Sequence, residues 1–443
     1  MTAGFATQTI FALASGAGRA GVAVIRVSGP EAGAILDELT GRDRPPARRA
    51  MRVRLRGAAD EVLDDGLALW FPAPHSFTGE DVAELHLHGG RAVIAAVGEA
   101  LTGLGARPAE PGEFTRRAFD NGKMDLTAAE GLADLVAAET AAQRRQALRQ
   151  MDGALAALYD DWRERLVRAQ AHFEAAIDFA DEDLPPGVEA EVRGALAGLA
   201  DVIAGHLADG HRGERLRDGV EVAIVGAPNV GKSSLLNRLA RREAAIVSAT
   251  AGTTRDVLEV HLDLGGYPVI LADTAGLRAA AEEVEVEGIR RARARAARAD
   301  LRLAVFDAAA GEPDAETRAL LNGDTLVVMN KADLGAPALD RLDGRPVLGV
   351  SARTGEGMEA LLAALEAEVA RRFGEGGPAP SRLRYRVALE EAEGAIRRAL
   401  ATGEAELAAE DLRLAARAIG RITGRVDVED LLDVIFRDFC IGK

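Results

Sequence analysis

The sequence predicts a multidomain protein of mixed α/β and α class. It should hold a small N-terminal α+β domain, a helical bundle, and an inserted domain with a doubly wound, mostly parallel sheet. Three observations carry this expectation. Short β-like runs broken by Pro and Gly fill residues 1–120. Apolar residues recur at three- and four-residue steps on both sides of residues 218–376, the spacing of one helix face. Within that central stretch, loop signatures follow successive apolar runs, each at the C-terminal end of a predicted strand, where open α/β sheets bind ligands.

In the N-terminal part, residues 21–27, 67–71 and 82–88 read as strands. Residues 121–217 then turn helical: Leu155, Leu158, Trp162, Leu166, Ala169, Phe173 and Ala176 line one face of a long amphipathic helix. The helical pattern returns after the linker Gly374-Glu-Gly-Gly-Pro-Ala-Pro380, in residues 386–400, 410–422 and 428–436. Neither helical stretch is large enough to bury a core alone, so 121–217 and 377–443 are expected to pack together as one domain interrupted by 218–376.

Composition sets limits. A chain of 443 residues accommodates two or three domains. Its single cysteine rules out an intramolecular disulfide framework and points to a reducing cytoplasm. No signal segment opens it, and no apolar run is long enough for a membrane span. A formal charge of −16 argues against nucleic-acid binding over the whole surface, and the Arg-rich stretches 48–56 and 290–302 read as solvated faces.

The central stretch carries the chemistry. Gly226-Ala-Pro-Asn-Val-Gly-Lys-Ser233 fits a phosphate-binding loop after the apolar run 220–225, with Ser234 and an amphipathic helix following. Its backbone N–H groups would wrap phosphates, Lys232 would reach the β and γ phosphates, and the Ser233 hydroxyl would hold Mg²⁺. Asn330-Lys331-Ala-Asp333 follows the run 325–329, where Asp333 would accept two hydrogen bonds from a guanine edge that adenine cannot supply. Ser351-Ala352-Arg353, after 346–350, would back the base with main-chain donors. Asp273-Thr274-Ala275-Gly276 ends the run 268–271, placing an acid near Mg²⁺ and a glycine N–H at the γ phosphate. Four such segments in order identify residues 220–373 as a GTPase domain.

The hydrolytic machinery is less legible. Leu277 follows Gly276, with no nearby glutamine to orient water; a carboxylate among Glu282, Glu283, Glu285 and Glu287 could do so, or these acids simply solvate a helix start. Asn229 inside the phosphate loop, with Ala249-Thr-Ala-Gly-Thr-Thr-Arg255 as the first switch, suits a monovalent cation that supplies the charge of an arginine finger; Asn229 as a plain loop-former is the competing reading. Thr254 is a natural second Mg²⁺ ligand.

These motifs, the terminal Phe439-Cys-Ile-Gly-Lys443, and the N-terminal segments 21–29, Ser76-Phe-Thr-Gly-Glu-Asp81, Pro111-Gly-Glu-Phe114 and Asn121-Gly-Lys-Met-Asp-Leu126 resemble the MnmE (TrmE) tRNA-modification GTPases over nearly the whole chain. The resemblance implies potassium-dependent pairing of GTPase domains in a homodimer, with potassium held by Asn229, Ser248, Thr250 and Thr253 and Mg²⁺ by Ser233 and Thr254. It selects Glu285 as the catalytic glutamate. The implied GTP set is Asn229, Val230, Gly231, Lys232, Ser233, Ser234, Ser248, Ala249, Thr250, Ala251, Gly252, Thr253, Thr254, Asp273, Thr274, Ala275, Gly276, Asn330, Lys331, Asp333, Ser351, Ala352 and Arg353.

It further implies an N-terminal domain that binds 5-formyl-tetrahydrofolate or a related folate through Arg26, Glu80 and Lys123, joined by Lys443 from the tail. Cys440 would stand near the reaction centre as a nucleophile, the alternative being packing at a helix end; a prenylation box is improbable with Gly442 and Lys443 behind it. The implied partners are tRNA and a flavoprotein of the MnmG (GidA) kind. The implied activity is GTP-driven modification of the wobble uridine at carbon 5. A ribosome-assembly switch and a folate-dependent methyltransferase with a regulatory GTPase insert are the alternatives.

Overall fold

The structure is a computed structural model describing residues 8–178, 188–241, 259–273, 297–310, 312–335, 339–374, 376–426, 429–437, 439 and 442. It divides into two units: Met1–Ala133 with Gly420–Lys443, and Asp134–Ile419.

The first unit is built on six strands, β1 (Ile10–Leu13), β2 (Ala20–Ser28), β3 (Met51–Arg56), β4 (Val62–Phe71), β5 (Val82–Gly89) and β6 (Arg107–Pro108), in the order β3-β4-β5-β2-β1-β6. All pairings are antiparallel except β1 with β6. Alternation decides the buried face: Ala23, Ile25 and Val27 of β2 and Leu85 and Leu87 of β5 point into a core closed by α1 (Ala32–Thr40) and α2 (Arg91–Gly103). β4 is longer than its apolar run predicts. Its polar first half is held by cross-strand polar contacts instead, an ion pair of Asp65 with Arg54 at 3.0 Å and a hydrogen bond between Asp64 Oδ1 and His88 Nδ1 at 2.8 Å. The arginines of β3 are thus solvent-facing, as the Arg-rich sequence predicts, whereas Arg302 is half-buried and donates to the Leu320 carbonyl. Helices α3 (Glu113–Asp120) and α4 (Leu126–Ala137) follow in the chain.

The second unit opens with α5 (Ala141–Met151), started by a capping box between Thr140 and Gln143. Next come α6 (Ala154–Asp178), α7 (Val188–Ala208) and α8 (Gly210–Asp218). The predicted stripe on α6 is buried at Leu155, Trp162, Leu166, Ala169 and Phe173, and Tyr159 joins it fully buried. A seven-stranded sheet then forms from β7 (Val220–Val225), β8 (Glu259–Leu264), β9 (Tyr267–Asp273), β10 (Leu301–Asp307), β11 (Thr325–Asn330), β12 (Arg341–Leu342) and β13 (Arg345–Gly349), in the order β12-β13-β11-β10-β7-β9-β8. Its five central strands are parallel and the two edge pairings antiparallel. Both faces are covered: Val222 and Ile224 belong to one core, Ala223 and Val225 to the other. This explains why the strands read as unbroken apolar runs. α9 (Lys232–Ala240), α10 (Ala315–Arg318) and α11 (Met358–Phe373) complete the domain.

Helix α12 (Leu383–Ala401) returns to pack on α7 within the second unit, whereas residues 420–443 cluster with the first. α13 (Ala405–Thr423) leads into the first unit, where α14 (Glu429–Arg437) sets Phe436 against Phe119 and Leu126. Near the chain end, a Cβ on Gly442 would lie 2.2 Å from the Leu13 carbonyl oxygen, so only glycine admits this approach. No helix among the described residues is long and apolar enough to cross a membrane.

The nucleotide-binding sheet is fastened to the helices at several points. Ala142 N–H donates to the Gly266 carbonyl in the β8–β9 turn, and Gln143 to the Arg217 carbonyl at 3.0 Å. Asp134 receives both Arg217, before the sheet, and Arg382, after it. Deeper in the bundle, Tyr159 O–H contacts His206 Nε2 at 3.1 Å, and Trp162 meets the same ring edge-on at 5.2 Å. Burial pushes the His206 pKa down to about 4, with Asp209 opposing and Arg212 assisting, and it pushes Tyr159 up.

Because the folded pKa of His206 lies below its ordinary 6.5, the unfolded state binds more protons between these values. Stability should therefore be intact above pH 6.5 and fall by up to about 3 kcal/mol as pH drops towards 4. Thermal melts across this window should show a steeper pH dependence for the wild type than for His206→Phe; equal slopes would mean that this histidine does not titrate on unfolding.

Candidate functional site: a guanine-nucleotide cleft and a charged cluster in the N-terminal unit

The phosphate loop joins β7 to α9. Asn229 stands exposed within it at φ 63°, a left-handed conformation that asparagine tolerates better than most residues. Gly231 follows at φ 96°, where a Cβ would lie 2.2 Å from Asn330 Nδ2. Lys232 opens α9 with its ammonium donating to the Gly226 and Ala227 carbonyls at 2.7 and 2.8 Å. Ser233 and Ser234 follow on the exposed side of the helix start, the positively polarised end that suits anions.

Asn330, at the end of β11, is 2% exposed and uses both ends of its amide. It donates to the Val230 carbonyl at 2.8 Å and accepts from Ala352 N–H at 3.0 Å, so one side chain ties the phosphate loop to both base-reading loops. The Asp333 carboxylate accepts Ser351 Oγ on Oδ1 at 2.5 Å and the Arg353 guanidinium on Oδ2. The Ser351 hydrogen bond, then the Arg353 one, holds its pKa below the ordinary carboxylate value. An ionised acceptor is what a guanine edge, with two parallel N–H donors, requires.

The structure also brings in two residues that the motifs do not include. Asp307, ending β10, pairs with Lys331 Nζ at 2.6 Å. Burial raises its pKa, but hydrogen bonds from Lys331 and the Ala309 amide outweigh this and lower it overall. Arg238 on α9 donates to the Arg353 and Thr354 carbonyls at 3.1 and 2.8 Å. The position of Asp307 at a strand end was the available signal; Arg238 looked like any helix-surface arginine. Asp273 ends β9 beside β7, as expected. Ser248, Ala249, Thr250, Ala251, Gly252, Thr253, Thr254, Thr274, Ala275, Gly276 and Glu285 lie outside the described residues.

In the N-terminal unit, Arg26, Glu80 and Lys123 all touch or border the segment 72–81 between β4 and β5. Arg26 is only 19% exposed, unlike a solvated strand arginine. It pairs with Glu84, its cross-strand neighbour, at 2.9 Å and lies over the Phe77 and Phe114 rings at 5.2 and 5.8 Å. Glu80 accepts Ser28 Oγ at 2.7 Å and Arg117 at 3.0 Å on one oxygen, and Arg117 again at 3.2 Å on the other. Arg117 also reaches Glu113, which Arg107 holds at 2.6 Å. Burial pushes Glu113 up, but Arg107, the Glu110 amide and Arg117 offset it, leaving the pKa below its ordinary value. Lys123 donates to the Pro74 carbonyl at 2.9 Å. Sequence reasoning named Glu80 but missed Arg117, its partner 37 residues away. Cys440 and Lys443 lie outside the described residues.

Comparison with known proteins agrees with this geometry. The family profile described as MnmE helical domain matches residues 126–440, and that described as GTP-binding protein TrmE N-terminus matches residues 9–123. The protein called tRNA modification GTPase MnmE in Paramagnetospirillum magneticum is 63% identical over 99% of this chain and 100% of its own length. Its namesakes in Rhodospirillum rubrum and Parvibaculum lavamentivorans are 62% and 60% identical, each over 98% of this chain and 99% and 100% of their own lengths. With one profile matching residues 126–440, the other residues 9–123, and relatives at 60–63% identity matched over nearly their full lengths, the chain belongs to the MnmE family of tRNA modification GTPases.

Proposed function

We propose that this chain hydrolyses GTP in the course of modifying the wobble uridine of certain tRNAs at carbon 5. It acts in the cytoplasm as a homodimer, with a flavin-dependent partner of the MnmG (GidA) kind, and installs an aminomethyl or carboxymethylaminomethyl group. The observation that carries the reading is the Asn330 bridge, which sets the phosphate loop and the Asp333 carboxylate in one frame. Residues 1–120 form the folate-binding and dimerisation domain and 218–376 the GTPase domain, inserted between helical parts 121–217 and 377–443.

In this reading, phosphate oxygens take over the Lys232 ammonium from the Gly226 and Ala227 carbonyls, an exchange that needs little movement because those carbonyls belong to the loop itself. Ser233 and Thr254 hold Mg²⁺. Asn229, with oxygens of Ser248, Thr250 and Thr253, holds potassium, and the exposure of Asn229 leaves its side chain available for this. Glu285 orients a water whose oxygen bonds to the γ phosphorus as the bond to the β–γ bridging oxygen breaks; GDP departs and the proton leaves with inorganic phosphate.

The N-terminal cluster of charged side chains suits a folate. Glu80, fixed by Arg117 and Ser28, keeps one lone-pair site on Oε1 for an amino edge, and Arg26 and Lys123 present cations towards an anionic tail, with Lys443 supplied from the chain end. The folate would supply the transferred carbon. Hydrolysis drives opening and closing of the paired GTPase domains.

Three outcomes follow. Glu285→Ala should lower GTP turnover by about 10²- to 10⁴-fold while GTP affinity is kept, which equilibrium binding and single-turnover assays resolve; full turnover would remove the water-orienting role. Sodium in place of potassium should fail to support hydrolysis, and equal rates in the two salts would eliminate the Asn229 cation site. Nucleoside analysis of tRNA from a deletion strain should show loss of the wobble-uridine modification with normal ribosome profiles; the converse pattern would favour a ribosome-assembly switch.

A further inference from the structure

The carboxylate that reads guanine has a competing partner within the same chain. Two donors of Arg353, Nε at 2.9 Å and Nη2, converge on Asp333 Oδ2, while Ser351 Oγ takes Oδ1. A carboxylate offers about four lone-pair sites, two per oxygen, so the guanidinium fills Oδ2. A guanine edge brings two parallel N–H donors and needs one place on each oxygen. The two forks therefore compete for Oδ2.

The surroundings favour exchange through the Arg353 side chain alone. That side chain is 74% exposed and the Asp333 side chain only 9%, so the guanidinium covers the solvent side of the carboxylate and can swing into water. The main chain beneath is tied down: Arg238 holds the Arg353 and Thr354 carbonyls, Ala352 N–H is bound by Asn330, and Thr354 N–H donates to Ser351 Oγ. Arg238 is thus a positioning residue that keeps the loop still while its terminal side chain moves.

We infer that Arg353 is a displaceable cap on Asp333, which slows guanine-nucleotide entry and makes capture depend on a base able to replace a two-pronged donor. This rests on reading the cleft as a GTP site. Lysine cannot reproduce the cap, because a single ammonium does not fill both lone pairs of one oxygen in a fixed plane.

Stopped-flow binding of N-methylanthraniloyl-GDP to the full-length wild type, Arg353→Ala and Arg353→Lys tests it. Apparent affinity scales with the fraction of protein that is open, so removing the cap should raise the association rate about three- to tenfold while dissociation changes less. Arg353→Lys should behave more like the alanine variant than like the wild type. An unchanged or slower association, or an effect confined to faster dissociation, would make Arg353 a support for the bound base and overturn the cap. If the wild type itself takes up no labelled GDP, the GTP-site reading fails first, and the cap with it.

Discussion

The buried amide of Asn330 is the contact on which the nucleotide cleft depends. Its donor holds the Val230 carbonyl and its acceptor holds Ala352 N–H, joining three loops that β7, β11 and β13 deliver separately. Replacing it by an apolar side chain would orphan the buried Val230 carbonyl, at a cost of about 1–3 kcal/mol, and leave the half-buried Ala352 N–H without this acceptor. The contact also accounts for Gly231, because a side chain there would occupy the space of the amide nitrogen. The phosphate loop and the base-reading loops are therefore one assembly, and a movement in either is felt by the other.

That assembly rests on a parallel sheet buried on both faces, which gives the strand ends little freedom. The β8–β9 turn meets the start of α5 through Ala142 and Gly266, and Asp134 binds one arginine before the sheet and one after it. A displacement of β9, which ends at Asp273, thus has a hydrogen-bonded route into the helices of the same unit.

The N-terminal unit solves a different problem. Arg107, Glu113, Arg117 and Glu80 form a chain of largely buried charges, each facing at least one opposite charge. Leaving any of them single would be costly, since a buried ion without its partner loses hydration and gains nothing in return. The network fixes Glu80 and helps shape the segment 72–81, around which Arg26 and Lys123 gather. Rigidity here comes from electrostatics, whereas in the nucleotide cleft it comes from side-chain hydrogen bonds to backbone groups.

Local information in the chain determined the phosphate loop, the strands that lead into each nucleotide motif and the stripe on α6, because each is a pattern of neighbours only a few residues apart. Residues 220–225 form a strand with the bounds their apolar run predicts, and Asn330 ends the strand that the run 325–329 predicts. Resemblance to a family, not spacing, singled out Glu285, Arg26 and Lys123. Only the tertiary structure decided the partners: Arg117 for Glu80, Asp307 for Lys331, Arg238 for the Arg353 loop, and the neutral His206 against Tyr159. These pairs are 24 to 115 residues apart, and a charge or amide carries no local sign of what it will meet. Burial and hydrogen bonding between distant segments set their ionisation and orientation, and those are properties of the folded chain alone.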